Sequence, residues 1–102
     1  MKHELYTTGS VVVLKLVTGE EIVTEIKSSH QMDGVLHVKQ PLQVQIVNDG
    51  QGGRAKALLP LMMLAPESDV DIHLNKIVAY VVAPSEVEKA YIQETSSILL
   101  SR

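Results

Sequence analysis

The chain contains no cysteine, no phenylalanine and no tryptophan, and its only aromatic side chains are Tyr6, Tyr80 and Tyr91. Without thiols there can be neither a disulfide nor a thiolate metal site, which fits a reducing compartment. Proteins that hold single-stranded nucleic acid generally stack bases on aromatic rings, at about 1–3 kcal/mol per base. Three tyrosines offer little for such a platform. Basic charge is also short. Nine Lys and Arg against twelve Asp and Glu give a net charge of -3, so no global positive field draws in a polyanion and only a local patch would serve. No stretch approaches the roughly 18–20 apolar residues that cross a bilayer. The opening Met1-Lys2-His3-Glu4-Leu5-Tyr6 has no apolar core of signal-peptide length. A soluble, cytoplasmic protein without membrane association is expected. At 102 residues the chain makes one small domain, near the lower edge of lengths that bury a core unaided.

Catalytic groupings are missing too. There is no cysteine nucleophile, no serine in an elbow motif and no carboxylate pair at a recognisable spacing. Glu67, Asp69 and Asp71 form a short acidic run near His73, but hard cations need several converging oxygens, and a solvated loop is the simpler reading. His37 falls on the polar side of a strand and His3 in an N-terminal arm, each without a ligand partner at metal-binding spacing. The expectation is a protein that is not an enzyme and uses no cofactor or metal.

What is present is β-strand patterning. Residues 1–10 read as an arm. Residues 11–17 are rich in valine, and residues 21–27 place Ile22 and Ile26 on one side against Glu21, Glu25 and Lys27 on the other. A Thr18-Gly19-Glu20 turn joins them into a hairpin. A polar connection over 28–34 leads to a long extended region, 35–47, in which Leu36, Val38, Leu42, Val44 and Ile46 share parity and are expected to share a face. Pro41 interrupts it and marks a bend or an edge. Asn48-Asp49-Gly50-Gln51-Gly52-Gly53 supplies the residues of a hairpin loop. With Arg54 and Lys56 it also invites a phosphate-cradle reading, although the Gly-Lys-Ser/Thr ending of a phosphate loop is absent. A flexible hairpin tip is the reading preferred here, with Arg54 and Lys56 a small basic spot able to touch nucleic acid. A fourth strand is expected over 54–63 and a fifth over 73–83. Then Pro84 stops the strand, Ser85 can N-cap and Glu88 completes a capping box for a final helix. Val87, Ala90, Tyr91 and Ile98 form its apolar stripe. The organisation is an arm over 1–10, a β domain over 11–83 and a helical segment over 84–102.

Strands one and five are apolar on both sides: Val12, Leu14 and Leu16 against Val11, Val13 and Val17, and Ile77 and Val81 against Val78, Tyr80 and Val82. Such strands must be covered twice, and one helix of about fifteen residues is too little cover for a small single sheet. Either the sheet curls around its own interior or subunits pack together. Exposed apolar edges are normally hidden by pairing. Head-to-tail pairing of Leu58, Leu59, Leu61 and Met62 with the Ile77, Val78, Tyr80 and Val82 strand of a neighbour would close a ring.

The Gly19-Glu20 turn framed by Val13, Leu14, Leu16, Ile22 and Ile26, and the run Asn75-Lys76-Ile77-Val78-Ala79-Tyr80-Val81, resemble the Sm-like (LSm) family over residues 11–83. More narrowly, the Lys39-Gln40-Pro41-Leu42 step, the Leu59-Pro60-Leu61 step and the Ala83-Pro84-Ser85-Glu86 exit are similar to small Sm-like proteins of tailed phages, especially those infecting cyanobacteria. The resemblance implies a five-stranded, strongly bent antiparallel sheet, a small open barrel, with the helix here at the C-terminus. It also implies a cyclic homo-oligomer in the host cytoplasm that binds RNA or assists nucleic-acid processing. The family's Asp-x-x-Met-Asn loop is replaced by Ser29-His30-Gln31-Met32-Asp33-Gly34, and its Arg-Gly or Lys-Gly pair by Lys76-Ile77. On this resemblance His30, Gln31, Asn75 and Lys76 would meet near the ring pore, where His and Gln address base edges and Lys a phosphate. The alternative is a structural ring or protein-interaction module without RNA, whose C-terminal helix mediates oligomer contacts or docks a protein partner.

Overall fold

A computed structural model describes residues 7–30 and 33–100 of the chain. The valine-rich opening forms β1 (Val11–Leu16), and a tight turn leads into β2 (Glu21–His30). Gly19 sits in that turn at φ +106°, a conformation costly for any residue with a Cβ, and its amide donates to the Leu16 carbonyl at 2.8 Å. Next come β3 (Val35–Asn48), β4 (Arg54–Pro60) and β5 (Val70–His73). A short 3-10 helix over Leu74–Lys76 precedes β6 (Ile77–Val82), and α1 (Ser85–Leu100) ends the described chain. Among the described residues, no helix is long and apolar enough to cross a membrane.

The strands form one antiparallel sheet in the order β4-β3-β2-β1-β6, with β5 added beside the first half of β3. Thus β3 pairs β2 along one side, while its other side is shared: Leu36 and Val38 face Ile72 and Val70, and residues 42–48 pair β4. Residues 70–73, at the junction of the expected acidic loop and the expected last strand, form β5 beside β3, and the strand expected over 73–83 begins only at Ile77 as β6 beside β1, so among the described residues the sheet has six strands instead of five and does not close into a barrel. The reason is a corner. Leu74 N–H donates to Gly34 O and Val17 N–H to Lys76 O, both at 2.8 Å, so the chain turns sharply as it passes from β3 to β1. β4 also stops earlier than expected, at Pro60, which has no amide to continue a ladder. Leu61 and Met62 therefore lie in the following turn, where Leu61 N–H bonds the Pro41 carbonyl at 3.0 Å.

Three extra residues bend the sheet. Lys27 is skipped between the pairs Ile26–Val38 and Ser28–His37, and Val78 between Lys15–Ala79 and Leu16–Ile77. Gln40 and Pro41 together oppose Thr24. Such bulges locally add twist and shift side-chain parity. At the third, Gln40 takes φ +42° and is only 3% exposed, a strained conformation for a side chain of this size. The expected common face of Leu36, Val38, Leu42, Val44 and Ile46 fails there. Leu36 and Val38 join one core cluster, Leu42 and Val44 the other, and Ile46 is 58% exposed. The Val78 bulge likewise puts Tyr80 on the same side as Ile77, where the sequence pattern sets them opposite.

Two clusters result. On the face away from α1, Val12, Leu14, Ile22, Ile26, Leu36, Val38 and Ile72 pack together. On the helix face, Val11, Val23 and Leu42 pack with Ala83 and Tyr91, flanked by Val13, Val44, Leu58, Val87 and Ile98. β1 is apolar on both sides and is covered on both, as its composition requires. Each such side chain contributes about 1.5–3 kcal/mol relative to exposure.

The helix starts one residue earlier than a Ser85 cap implies. Glu88 N–H donates to the Pro84 carbonyl at 2.9 Å, which makes Pro84 the cap and Ser85 the first helical residue. Glu86 and Glu88 in the first turn complement the positive helix end. The Tyr91 and Ile98 stripe is turned onto the protein's own sheet, with Tyr91 buried in the helix-face cluster and Ile98 packed at its border. Tyr91 donates its hydroxyl to the Lys39 carbonyl, which also receives the Thr24 hydroxyl at 2.9 Å. The bend and the helix are therefore tied at one carbonyl. Burial pushes the Tyr91 phenol up to about 12.

Candidate functional site

Asn75 and Lys76 occupy the 3-10 corner, both exposed. The Leu74–Gly34 backbone bond sets this corner against the β2–β3 turn, and Val35 pairs with His30 on one side and His73 on the other. The backbone thus brings the end of β2, Gly34 and residues 74–76 to the same end of the sheet. Gln31 and the His30 side chain, the other two members of the expected pore group, lie outside the described residues, as does His3.

Arg54 and Lys56 are exposed on β4, paired opposite Asn48 and Ile46. They flank the far end of the 14-residue β3 from Val35, so the two basic sites do not converge. Asp49 accepts the Gln51 and Gly53 amides at 2.8 and 3.0 Å, which holds its carboxyl below the usual range. An anion cradle here would have to displace that carboxylate, so the loop is a hairpin tip braced by its own aspartate.

Two members of the acidic run are engaged by separate side chains. Asp69 binds the Lys27 ammonium at 2.8 Å and raises its pKa, while Asp71 pairs with the Nδ1 of His37. Ser28, His37 and Asp71 lie directly opposite one another across β2, β3 and β5, an order that resembles a nucleophile–base–acid row. The Asp71 carboxylate is 63% exposed, whereas triad carboxylates work buried and oriented away from water. The row acts as cross-strand polar pairing. Among the described residues, no group of three or more His, Asp or Glu side chains is placed to hold a metal ion.

Two further features shape the surface. The first, the condition of the sheet ends, bears on the expected edge pairing. β4 carries Arg54 and Lys56 at its start and Pro60 at its end, which leaves the uncharged stretch 57–59 as the part open to a neighbouring strand. β6 carries no charge, and its Val78, Val81 and Val82 are 61%, 56% and 63% exposed. The second is a groove of about 780 Å³ between the first turns of α1, the β1–β2 turn and the strand residues beneath. Its lining comes from five elements, so no local spacing announces it. The available signal was the mismatch between one short helix and a sheet apolar on both sides.

Of the expected edge residues, Leu58 packs in the helix-face cluster and Leu61, Ile77 and Tyr80 against the opposite one. Leu59 is half-buried, and Met62, Val78 and Val82 are exposed. Comparison with models of known protein families gives no match to this chain, and comparison with curated proteins gives none either.

Proposed function

We propose that this protein is a self-assembling interaction module whose copies join edge to edge, β4 of one against β6 of the next, into a closed homo-oligomer. The observation that carries this reading is the uncharged, valine-lined β6 at the end of the sheet order. An uncharged apolar edge of this kind is a template for another strand. Two different edges on one molecule make a head-to-tail contact, which closes when the rotation per copy divides a circle. The resemblance of residues 11–27 and 75–81 to ring-forming Sm-like proteins supports the same geometry.

The test is the native mass. The 11.2 kDa chain should run as a discrete multiple of itself, and Val78→Lys with Val81→Lys should return it to a monomer that keeps its circular dichroism. A monomer at high micromolar concentration would sink the proposal. A simple dimer insensitive to β4 substitutions would point instead to β6 pairing with β6.

A second reading, RNA binding at the corner end of the sheet, is favoured by the Leu74–Gly34 contact that sets Asn75 and Lys76 beside Gly34 and the start of β3. It predicts salt-sensitive affinity for U-rich or A-rich oligonucleotides, weakened by Lys76→Ala. Absence of binding at low salt would leave the assembly role alone.

A further inference from the structure

The groove beside α1 has an apolar floor and an acidic rim. Val13, Val23, Val44 and Leu58 supply the floor from four neighbouring strands, and Val87 and Ala90 form the helix wall. Glu20, Glu21 and Glu86 stand at the rim with a single cation, Lys56. The Glu20 carboxylate accepts the Thr18 hydroxyl and is held below its usual range, so it stays ionised near neutral pH. Lys15, which pairs with Glu21 at 3.4 Å, is not part of the lining. An occupant therefore meets hydrocarbon below and net negative charge around it. Phosphate-bearing ligands are disfavoured by those carboxylates.

Size narrows the class. A volume of about 780 Å³ falls in the range of built ligand pockets. Four strands at about 4.8 Å spacing give a floor roughly 14 Å across, the length of about nine helical residues. We propose that the groove binds a short amphipathic peptide segment of a partner protein, apolar on one side and bearing lysine or arginine along its border. Apolar anchors would sit over Val13 and Leu58, with the cations meeting Glu20 and Glu86. This site lies apart from the β6 edge, but Lys56 and Leu58 belong to β4, so it shares that strand with the assembly contact proposed above.

The experiment is a titration of the full chain, followed by amide chemical shifts, with three probes: a nine-residue leucine–lysine peptide, its leucine–glutamate counterpart and dodecylamine. The lysine peptide should bind and shift Val13, Val44 and Val87. The combined Glu20→Lys and Glu86→Lys change, on exposed side chains, should weaken it about tenfold, as two partly screened ion pairs imply. Ala90→Trp, which fills the groove, should abolish binding while the helix signal is retained. The glutamate peptide should bind no better than the lysine peptide binds the charge-reversed protein. Equal binding of both peptides, shifts that map to β6, or indifference to the charge reversal would overturn the proposal, and the charge reversal decides even if Ala90→Trp unfolds the chain. Tighter binding of dodecylamine than of the lysine peptide would also overturn it, by assigning the groove to a small amphiphile.

Discussion

On the face away from α1, Leu14, Ile22, Ile26, Leu36 and Val38 are sealed by strands that bend around them, with β5, the 3-10 corner and β6 supplying Ile72, Leu74, Ile77 and Tyr80. On the helix face, one helix covers Val11, Val23 and Leu42 and leaves a groove over Val13, Val44 and Leu58. Both faces are built from the same strands, and β1 contributes valines to each. The difference teaches how a short chain divides its apolar residues. A cluster enclosed by the chain on every side supplies stability, and a cluster roofed by a single element leaves surface for binding.

That contrast can be broken most strongly at Leu14. Leu14→Ala empties volume that no neighbour can refill and should cost about 2–5 kcal/mol in urea unfolding, whereas Val44→Ala, beside the groove, should cost less than about 1.5 kcal/mol. Comparable losses at the two positions would mean that the faces are equally packed.

The tie between helix and sheet comes next in size. Tyr91→Phe removes the bond to the Lys39 carbonyl and should cost about 1 kcal/mol, because the Thr24 hydroxyl still satisfies that oxygen. Its pH signature is specific. Burial raises the folded phenol to about 12, above its value near 10 in the unfolded chain. The unfolded state therefore gives up its proton first. Stability supplied by the neutral phenol is complete below about pH 10 and is lost as pH rises through 12. Unfolding midpoints across that window should fall for the native chain and fall less for Tyr91→Phe. Parallel curves would remove Tyr91 from the account.

The smallest expected effect on stability is at the exposed edge. Val81→Lys changes a side chain that is 56% exposed and should shift the unfolding free energy of the isolated chain by no more than about 0.5 kcal/mol. The same substitution should lower the native mass. A large destabilisation without a change in mass would place Val81 in the core of the single chain.

Several elements were legible in the residues themselves. The β1–β2 hairpin, the length of β3, its bend near Pro41, the Asp49–Gly53 tip and the helical stripe of Val87, Tyr91 and Ile98 all follow from periodicity or turn chemistry. The bulges were not. Gln40 carries no local preference for positive φ, and it adopts that conformation because Thr24 lies opposite two residues of β3. Lys27 and Val78 are skipped for the same kind of reason, and each skip reverses the parity of the next residues along the strand. The corner at Leu74–Lys76 rests on bonds to Gly34 and Val17, both distant in sequence. As for the sites, the basic character of Lys76 and of Arg54 with Lys56 could be read directly. Their placement at opposite ends of β3 could not. The acid-rimmed groove draws on β1 to β4 and α1, and only packing makes those residues neighbours.

The sequence by itself determined which stretches are strands and which is a helix, because alternation, β-branching and turn residues act over a few positions along the chain. It also determined that more apolar surface exists than one helix covers, which is a matter of counting. Tertiary structure decided which face each residue joins, where the last strand breaks, and which apolar residues are left for partners. Those outcomes depend on register between strands far apart in sequence, where one extra residue sends every later side chain to the other face.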